Sequence, residues 1–391
     1  MNQGKYILSQ IMEFIPRHQF NNCVKKYRGD YWIKQFTCRE QFLSLSFGQL
    51  THRESLRDII VCLESQKEKL YHLGFASLKI NHSTLSDANN QRDWRIYQDL
   101  AQLLIAEARK IYFDDNEFKL ELKGTFYALD SSTIELCLNL FKWAKFVKTK
   151  SAVKLHLLLD LKGNIPTFFC ITDAKTHDVK FLDEIIFEAG AYYVMDRGYL
   201  DYERLFKINS SGAFFITRAK SNLSFERLYS NEVKKELGIK CDQIIKFSSY
   251  RAIKKYPEKL RRIKYFDKET NKYYIFLTNN FNIEAKSVAD LYKNRWQIEL
   301  FFKWIKQHLK IRVFWGYSAN AVKTQICIAI CTYLLVAIIK KKLKIERNLY
   351  EILQILSISA FNRIPLNKLI SEVEAVDFNE QFPKQRSLWD Y

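Results

Sequence analysis

A mixed α/β fold is predicted for this chain of 391 residues: a sheet flanked by helices, preceded by a helical region and interrupted by a strand-rich insertion. Three observations predict it. Helical periodicity runs through residues 1–115, short apolar runs bounded by turn residues begin near residue 124, and helical patterning resumes near residue 283. Strands paired first by hairpins and then through a helix suit a mixed sheet with helices packed on it.

In chain order, Thr51-His52-Arg53-Glu54 fits a capping box ahead of the apolar positions Leu56, Ile59, Ile60 and Leu63. A long periodic stretch from Asp93 to Tyr112 carries Leu100, Leu103, Leu104 and Ile105. Between them His82 to Asn90 is short and polar; it reads either as a DNA-reading helix or as a plain helical linker. Thr125 to Leu129 reads as a strand ending at Asp130, and Ala191 to Met195 as one ending at Asp196. Val153 to Leu159 and Ile165 to Ile171 form a hairpin across Leu161-Lys162-Gly163-Asn164. A helix over Tyr202 to Ile208 leads to a strand at Ala213 to Thr217. Residues 218–282 hold three strand candidates, Ile244 to Ser248, Arg261 to Phe266 and Tyr273 to Leu277, set between basic turns. From Ile283 one helix is expected to continue through Leu309, with further helices at 326–339 and Leu349 to Leu356. The expected divisions are 1–115, 116–217, 218–282, 283–315 and 316–391.

Composition narrows the class. Few prolines and glycines and an apolar share of 48% exclude disorder and repeat arrays. The net charge of +19 is concentrated after residue 200, which points to a polyanion such as nucleic acid. Eight cysteines without a Cys-x-x-Cys pair suit a reducing cytoplasm, and Met1 to Lys5 lack a secretory signal pattern. The apolar run Ile326 to Ile339 is shorter than the ~20 residues that span a bilayer, so it is expected to be a buried helix, with no membrane partner.

Carboxylates at the ends of apolar strands are costly unless paired or bound to a cation, and Asp130 and Asp196 both stand there. Asp160, Asp173 and Asp178 read as ordinary turn or loop residues, while Gly198 after Asp196 would permit close backbone approach. On one continuous helix Tyr292, Arg295, Glu299 and Lys306 fall within a stripe about 60° wide at 100° per residue. Leu291, Ile298, Leu300, Phe301, Phe302, Trp304 and Ile305 cover most of the remaining surface, so the stripe is expected inside the protein or on a cleft floor.

The spacing Tyr292-x2-Arg295-x3-Glu299-x6-Lys306 resembles the Y-R-E-K motif of the IS-four (insertion sequence) family of bacterial transposases. Asp130-Ser131-Ser132-Thr133 and Asp196-Arg197-Gly198-Tyr199 resemble its two aspartate regions, in register with the glutamate. The resemblance covers residues 120–310. It implies an RNase H-like fold with a β-rich insertion before the catalytic glutamate and a helical N-terminal accessory domain. It implies that Asp130, Asp196 and Glu299 are catalytic and bind two divalent metal ions, Mg²⁺ or Mn²⁺. Tyr292, Arg295 and Lys306 would contact DNA phosphates. The implied partners are double-stranded DNA, both transposon terminal inverted repeats and target, with a dimer in the synaptic complex; the implied location is the bacterial cytoplasm, on the nucleoid. Some similar enzymes cut through a DNA hairpin with help from a tryptophan in the insertion. No tryptophan lies between Trp143 and Trp296; Tyr273, Tyr274 and Phe276 are the aromatics there that could stack instead. The sequence leaves two alternatives open: a catalytically silent DNA-binding repressor or scaffold, and a metal nuclease without strand transfer.

Overall fold

The computed structural model describes residues 4–77, 79–112 and 124–371, so the expected division near residue 115 lies outside the described residues. The first part folds as α1 (Ile7–Met12), α2 (Arg17–Lys26), α3 (Cys38–Leu50), α4 (Leu56–Glu64), α5 (Lys67–Leu73), α6 (His82–Gln91) and α7 (Arg95–Tyr112). The capping box sits one helix earlier than read: Thr37 and Glu40 cap α3 reciprocally. Thr51 instead closes α3 with its hydroxyl on the Phe47 carbonyl, His52 turns at φ 56°, and Ser55 caps α4 by accepting from the Asp58 amide. Two Ser/Thr starts fit the pattern equally, and packing of α3 decides between them.

The sheet begins with β1 (Phe126–Leu136), β2 (Lys145–Val147), β3 (Lys150–Asp160) and β4 (Ile165–Asp173). It continues through β5 (Tyr192–Met195), α8 (Tyr202–Ser210) and β6 (Phe214–Arg218). Strand β3 pairs antiparallel with β1 and β4, β5 runs parallel to β1, and β6 runs parallel to β5. The resulting order β4-β3-β1-β5-β6 is the RNase H-like mixed sheet that the resemblance implied. Side chains alternate between its faces, as pleating requires. Phe126, Ala128, Val194 and Ile216 enter one core, while Tyr127, Leu129, Tyr193, Met195 and Phe215 enter the other. One strand end is corrected. β1 does not stop at Asp130 but pairs with β3 as far as Leu136, because Ile134 and Leu136 resume the buried alternation beyond four polar residues.

The segment after β6 adds β7 (Phe225–Ser230), β8 (Ile239–Phe247), α9 (Tyr250–Lys255), β9 (Leu260–Asp267) and β10 (Lys272–Thr278). Strand β7 was missed: its residues are almost all exposed, so no apolar alternation announces it. These strands extend the same sheet, because β10 pairs antiparallel with β6. Inside the extension Arg261 forms a buried bidentate pair with Asp242 at 2.9 and 2.7 Å. Its third nitrogen donates to the Ile283 carbonyl at 2.5 Å, which fixes the loop leading out of β10.

The chain then forms α10 (Ala285–Asn294), α11 (Trp296–His308), α12 (Ala319–Lys342), α13 (Leu349–Ser359) and α14 (Leu366–Ile370). The expected single helix from Ile283 to Leu309 is therefore two, joined at Arg295, which keeps helical angles (φ −53°, ψ −28°). Helix α12 is long and apolar enough to cross a membrane, but 94% of its most apolar window is buried against α7, α3 and α6. Its Cys327 and Cys331 are buried free thiols. It is the central core helix, as its run of apolar residues led us to expect.

Candidate active site

Alternation along β1 decides where its first carboxylate points. Ala128 faces the core that α10 and α11 cover, so Asp130, two residues on, continues toward the same helices. The same parity carries Asp196 past Val194 at the end of β5, one strand away. Helices α10 and α11 supply the rest. The Tyr292 hydroxyl donates to Asp196 Oδ1 at 3.2 Å. Arg295, at the helix junction, donates through one nitrogen to Asp130 Oδ2 at 3.2 Å and through another to Glu299 Oε1 at 2.6 Å. Three acidic residues from β1, the end of β5 and α11 are thus gathered around one tyrosine and one guanidinium.

Lys306 lies two turns beyond Glu299, and its ammonium donates to the Thr133 carbonyl of β1 at 2.9 Å. It borders the site without touching the three acids. Of the six residues singled out from sequence, five meet here as two hydrogen-bonded groups, Tyr292 with Asp196 and Arg295 with Asp130 and Glu299, joined by the Arg295 guanidinium 5.7 Å from the Tyr292 ring; Lys306 flanks them.

The electrostatics follow from burial. Desolvation pushes the Asp130 carboxyl up to about 6, even though the Ser131 amide and Arg295 both stabilise its charge. Burial also raises the Tyr292 phenol to about 12. For Arg295 burial works against the cation, but Tyr292, Glu299 and Asp130 outweigh it and hold the guanidinium above its ordinary range. Its Nε is buried without a partner among the described residues. Two carboxylates therefore already converge on one positive charge. All donors are oxygens, which suits a hard divalent cation rather than zinc or copper. In this arrangement, however, no three acidic, histidine or cysteine side chains among the described residues stand close enough to hold an ion, since Arg295 lies between Asp130 and Glu299.

Gly198, expected to permit close backbone approach, faces open space, where a Cβ would meet nothing within 4 Å. One reading of the surroundings is corrected. Helix α11 was expected to be covered nearly all round, yet Trp296 is 57% exposed and Leu300 42%. The acidic stripe thus opens on one side to an unburied aromatic surface.

Sequence reasoning also passed over a second polar group on the opposite face of β1. Asp178, read as a loop residue, accepts from Ser131 Oγ at 2.7 Å and from Lys154 Nζ at 3.0 Å. His156, fully buried beside it, holds Nδ1 at 4.0 Å from the same carboxylate and shares a 2.8 Å hydrogen bond with Thr172. The signal available was the polar alternation Lys154-x-His156 inside an otherwise apolar strand.

Known proteins resemble this chain along much of its length. Residues 121–335 match a family described as the transposase DDE domain, and residues 3–76 match one described only as a domain of unknown function. A protein of Sinorhizobium fredii named as transposase y4zB is 35% identical over 260 residues, covering 65% of this chain and 70% of its own length. A Synechocystis protein named as the transposase of insertion sequence element IS4SA is 25% identical over 331 residues, covering 82% of this chain and 88% of its own. Among solved structures, a cryo-EM piggyBac transposase synaptic complex with hairpin DNA overlaps 96% of this chain and 84% of its own at a TM-score of 0.47 and 9% identity.

Proposed function

This chain belongs to the transposase DDE-domain family, as an insertion-sequence transposase, and from that premise we propose how its residues cut and join DNA. Asp130, Asp196 and Glu299 are the catalytic acids. The observation that carries this reading is their convergence from three separate elements on the Tyr292 and Arg295 side chains.

The family works with divalent metal. Here the three acids would hold two such ions, Mg²⁺ or Mn²⁺, which when bound polarise the phosphodiester, acidify the attacking water and stabilise the leaving oxygen. The remaining chemistry belongs to the chain. Arg295 offsets part of the charge of Asp130 and Glu299 while the site is free. When a phosphodiester arrives, its forked donors can pass from carboxylate to phosphate, which frees both acids for the cation. Tyr292 keeps Asp196 oriented, and Lys306 meets a phosphate farther along the strand as a point charge. The substrate is double-stranded DNA, cut at the transposon's terminal inverted repeats to free a 3′-hydroxyl that attacks a target phosphodiester. Two ends require two active sites, hence a dimer in the synaptic complex. Such chemistry is done on the bacterial chromosome, in the cytoplasm.

The test is Glu299→Gln, which removes a ligand charge but keeps shape. We expect cleavage of end DNA in Mg²⁺ or Mn²⁺ to vanish while end binding by gel shift stays nearly unchanged, with Asp196→Ala behaving alike. A folded Glu299→Gln protein that still cuts would remove Glu299 from the catalytic set. Strand-transfer products with 3′-hydroxyl donor ends separate transposition from simple nuclease action.

A further inference from the structure

Beyond the acidic cluster, the far end of α11 opens on a cavity of about 620 Å³. Lys306, His308, Lys310 and Arg312 line it from the end of α11 and the segment after it, His52 from the turn after α3, and Tyr350 from α13. Among the described residues, none that lines it is acidic. At its edge Glu54 is mostly exposed and pairs with Lys310 at 2.5 Å. Arg312 is exposed and makes no ion pair among the described residues.

We propose that this cavity is a second DNA-backbone site, which grips the strand entering or leaving the acidic cluster a few nucleotides from the cut. It rests on the catalytic reading above for its direction but not for its chemistry. Three features carry it. Three cations, Lys306, Lys310 and Arg312, converge from the end of α11 and the segment after it, where packing alone gains nothing from like charges. The helix between cavity and catalytic acids offers a continuous track, with Leu300, Lys303 and Gln307 exposed along it. The spacing suits a nucleic-acid strand as well. Glu299 and Lys306 are about 10 Å apart along the axis at 1.5 Å per residue, or about three nucleotide rises of 3.4 Å.

The titration behaviour agrees with an unmet anion. Burial and then Arg312 lower the Lys306 ammonium against the opposing pull of Glu135. Burial, Lys310, His308 and Arg53 lower the His52 imidazole against that of Glu54. A phosphate would relieve this mutual repulsion and release counterions from the DNA. The ligand is a phosphodiester backbone rather than particular bases, so recognition here is independent of sequence.

That independence sets the probe, a mixed-sequence duplex of about 40 base pairs titrated by fluorescence anisotropy across a salt series. We expect Lys310→Gln with Arg312→Ala to weaken binding about tenfold near physiological salt and to flatten the log–log salt slope by nearly two, at about 0.9 for each phosphate no longer neutralised. Arg312→Lys should restore most of the affinity that Arg312→Ala removes, which a folding defect would not allow. Lys254→Ala, an exposed cation on α9, should leave the slope unchanged. An unaltered slope in the double variant, or an equal fall in Lys254→Ala, would overturn the proposal. Metal-dependent cleavage by the unaltered protein is scored separately. Cutting with an unchanged variant slope sinks this site alone, whereas the slope loss without any cutting spares it and sinks the catalytic reading.

Discussion

Arg295 is the residue on which the free state of the site turns. Its guanidinium supplies between Asp130 and Glu299 the positive charge that the family's chemistry takes from metal. A cation built into the chain and a cation from solution compete for the same oxygens. Arg295→Gln should therefore bind Mn²⁺ several-fold more tightly than the unaltered protein when DNA is absent, while cutting DNA less well. Titration followed by the Mn²⁺ spin-resonance signal reads this directly, and equal or weaker Mn²⁺ binding would show that the guanidinium does not compete. His156 gives a second prediction at this scale. Burial lowers its imidazole to about 4 from an ordinary 6.5, against the pull of Asp178 and with the push of Lys154. A folded-state value below the unfolded one means the native protein resists protonation. The contribution is complete above 6.5 and is lost as pH falls through about 4. His156→Gln, which cannot titrate, should flatten that acid limb in urea midpoints measured from neutral pH downward. An unchanged limb would clear His156 of the effect.

At the scale of elements, what could be read from sequence is what depends on local periodicity. The strands read at 125–129, 153–159 and 191–195 and the helix carrying Glu299 announce themselves through runs of apolar residues with polar ends, and each falls on an observed element. Asp130 and Asp196 were legible because carboxylates beside such runs are costly, and Glu299 because it shares a narrow helical stripe with Tyr292, Arg295 and Lys306. What could not be read depends on partners distant in sequence. β1 passes Asp130 because β3 pairs with it, β7 exists because β8 does, and the break at Arg295 lets one junction residue reach β1 and α11 together. Asp178 joins Ser131 and Lys154 only once the sheet closes. Gly48 belongs here too, since its role is packing between elements rather than a turn. A Cβ on it would lie 2.5 Å from Ile59 Cδ1 and 2.8 Å from the Trp315 ring. The isoleucine tip can swing away, but the indole is held by its hydrogen bond to the Arg53 carbonyl. Overpacking costs about 1–3 kcal/mol, and alanine in a helix recovers about 1. Gly48→Ala should therefore lose about 1 kcal/mol net by denaturant midpoint. A gain in stability would mean that the ring yields freely.

Over the whole molecule, the insertion and the RNase H-like core are one sheet rather than two stacked units. β10 hydrogen-bonds to β6, β6 to β5, and β5 to the β1 strand that bears Asp130. Arg261 fastens that continuity from within. It pairs with Asp242 of β8 and holds the Ile283 carbonyl at the entry to α10, and so sets where Tyr292 and Arg295 begin their approach. Arg261→Met keeps most of the stem but strands the Asp242 carboxylate in a buried place, a loss of about 3–5 kcal/mol for a broken buried pair. If the sheet unfolds as a unit, hydrogen exchange should speed up together for amides of β8, β9, β10 and β6, and Mn²⁺ affinity at the acids should fall although Arg261 touches none of them. Faster exchange confined to β7, β8 and β9, with β6 still protected, would show instead that the insertion opens alone. Asp130, Asp196 and Glu299 would then owe their alignment to α10 and α11 rather than to the extended sheet.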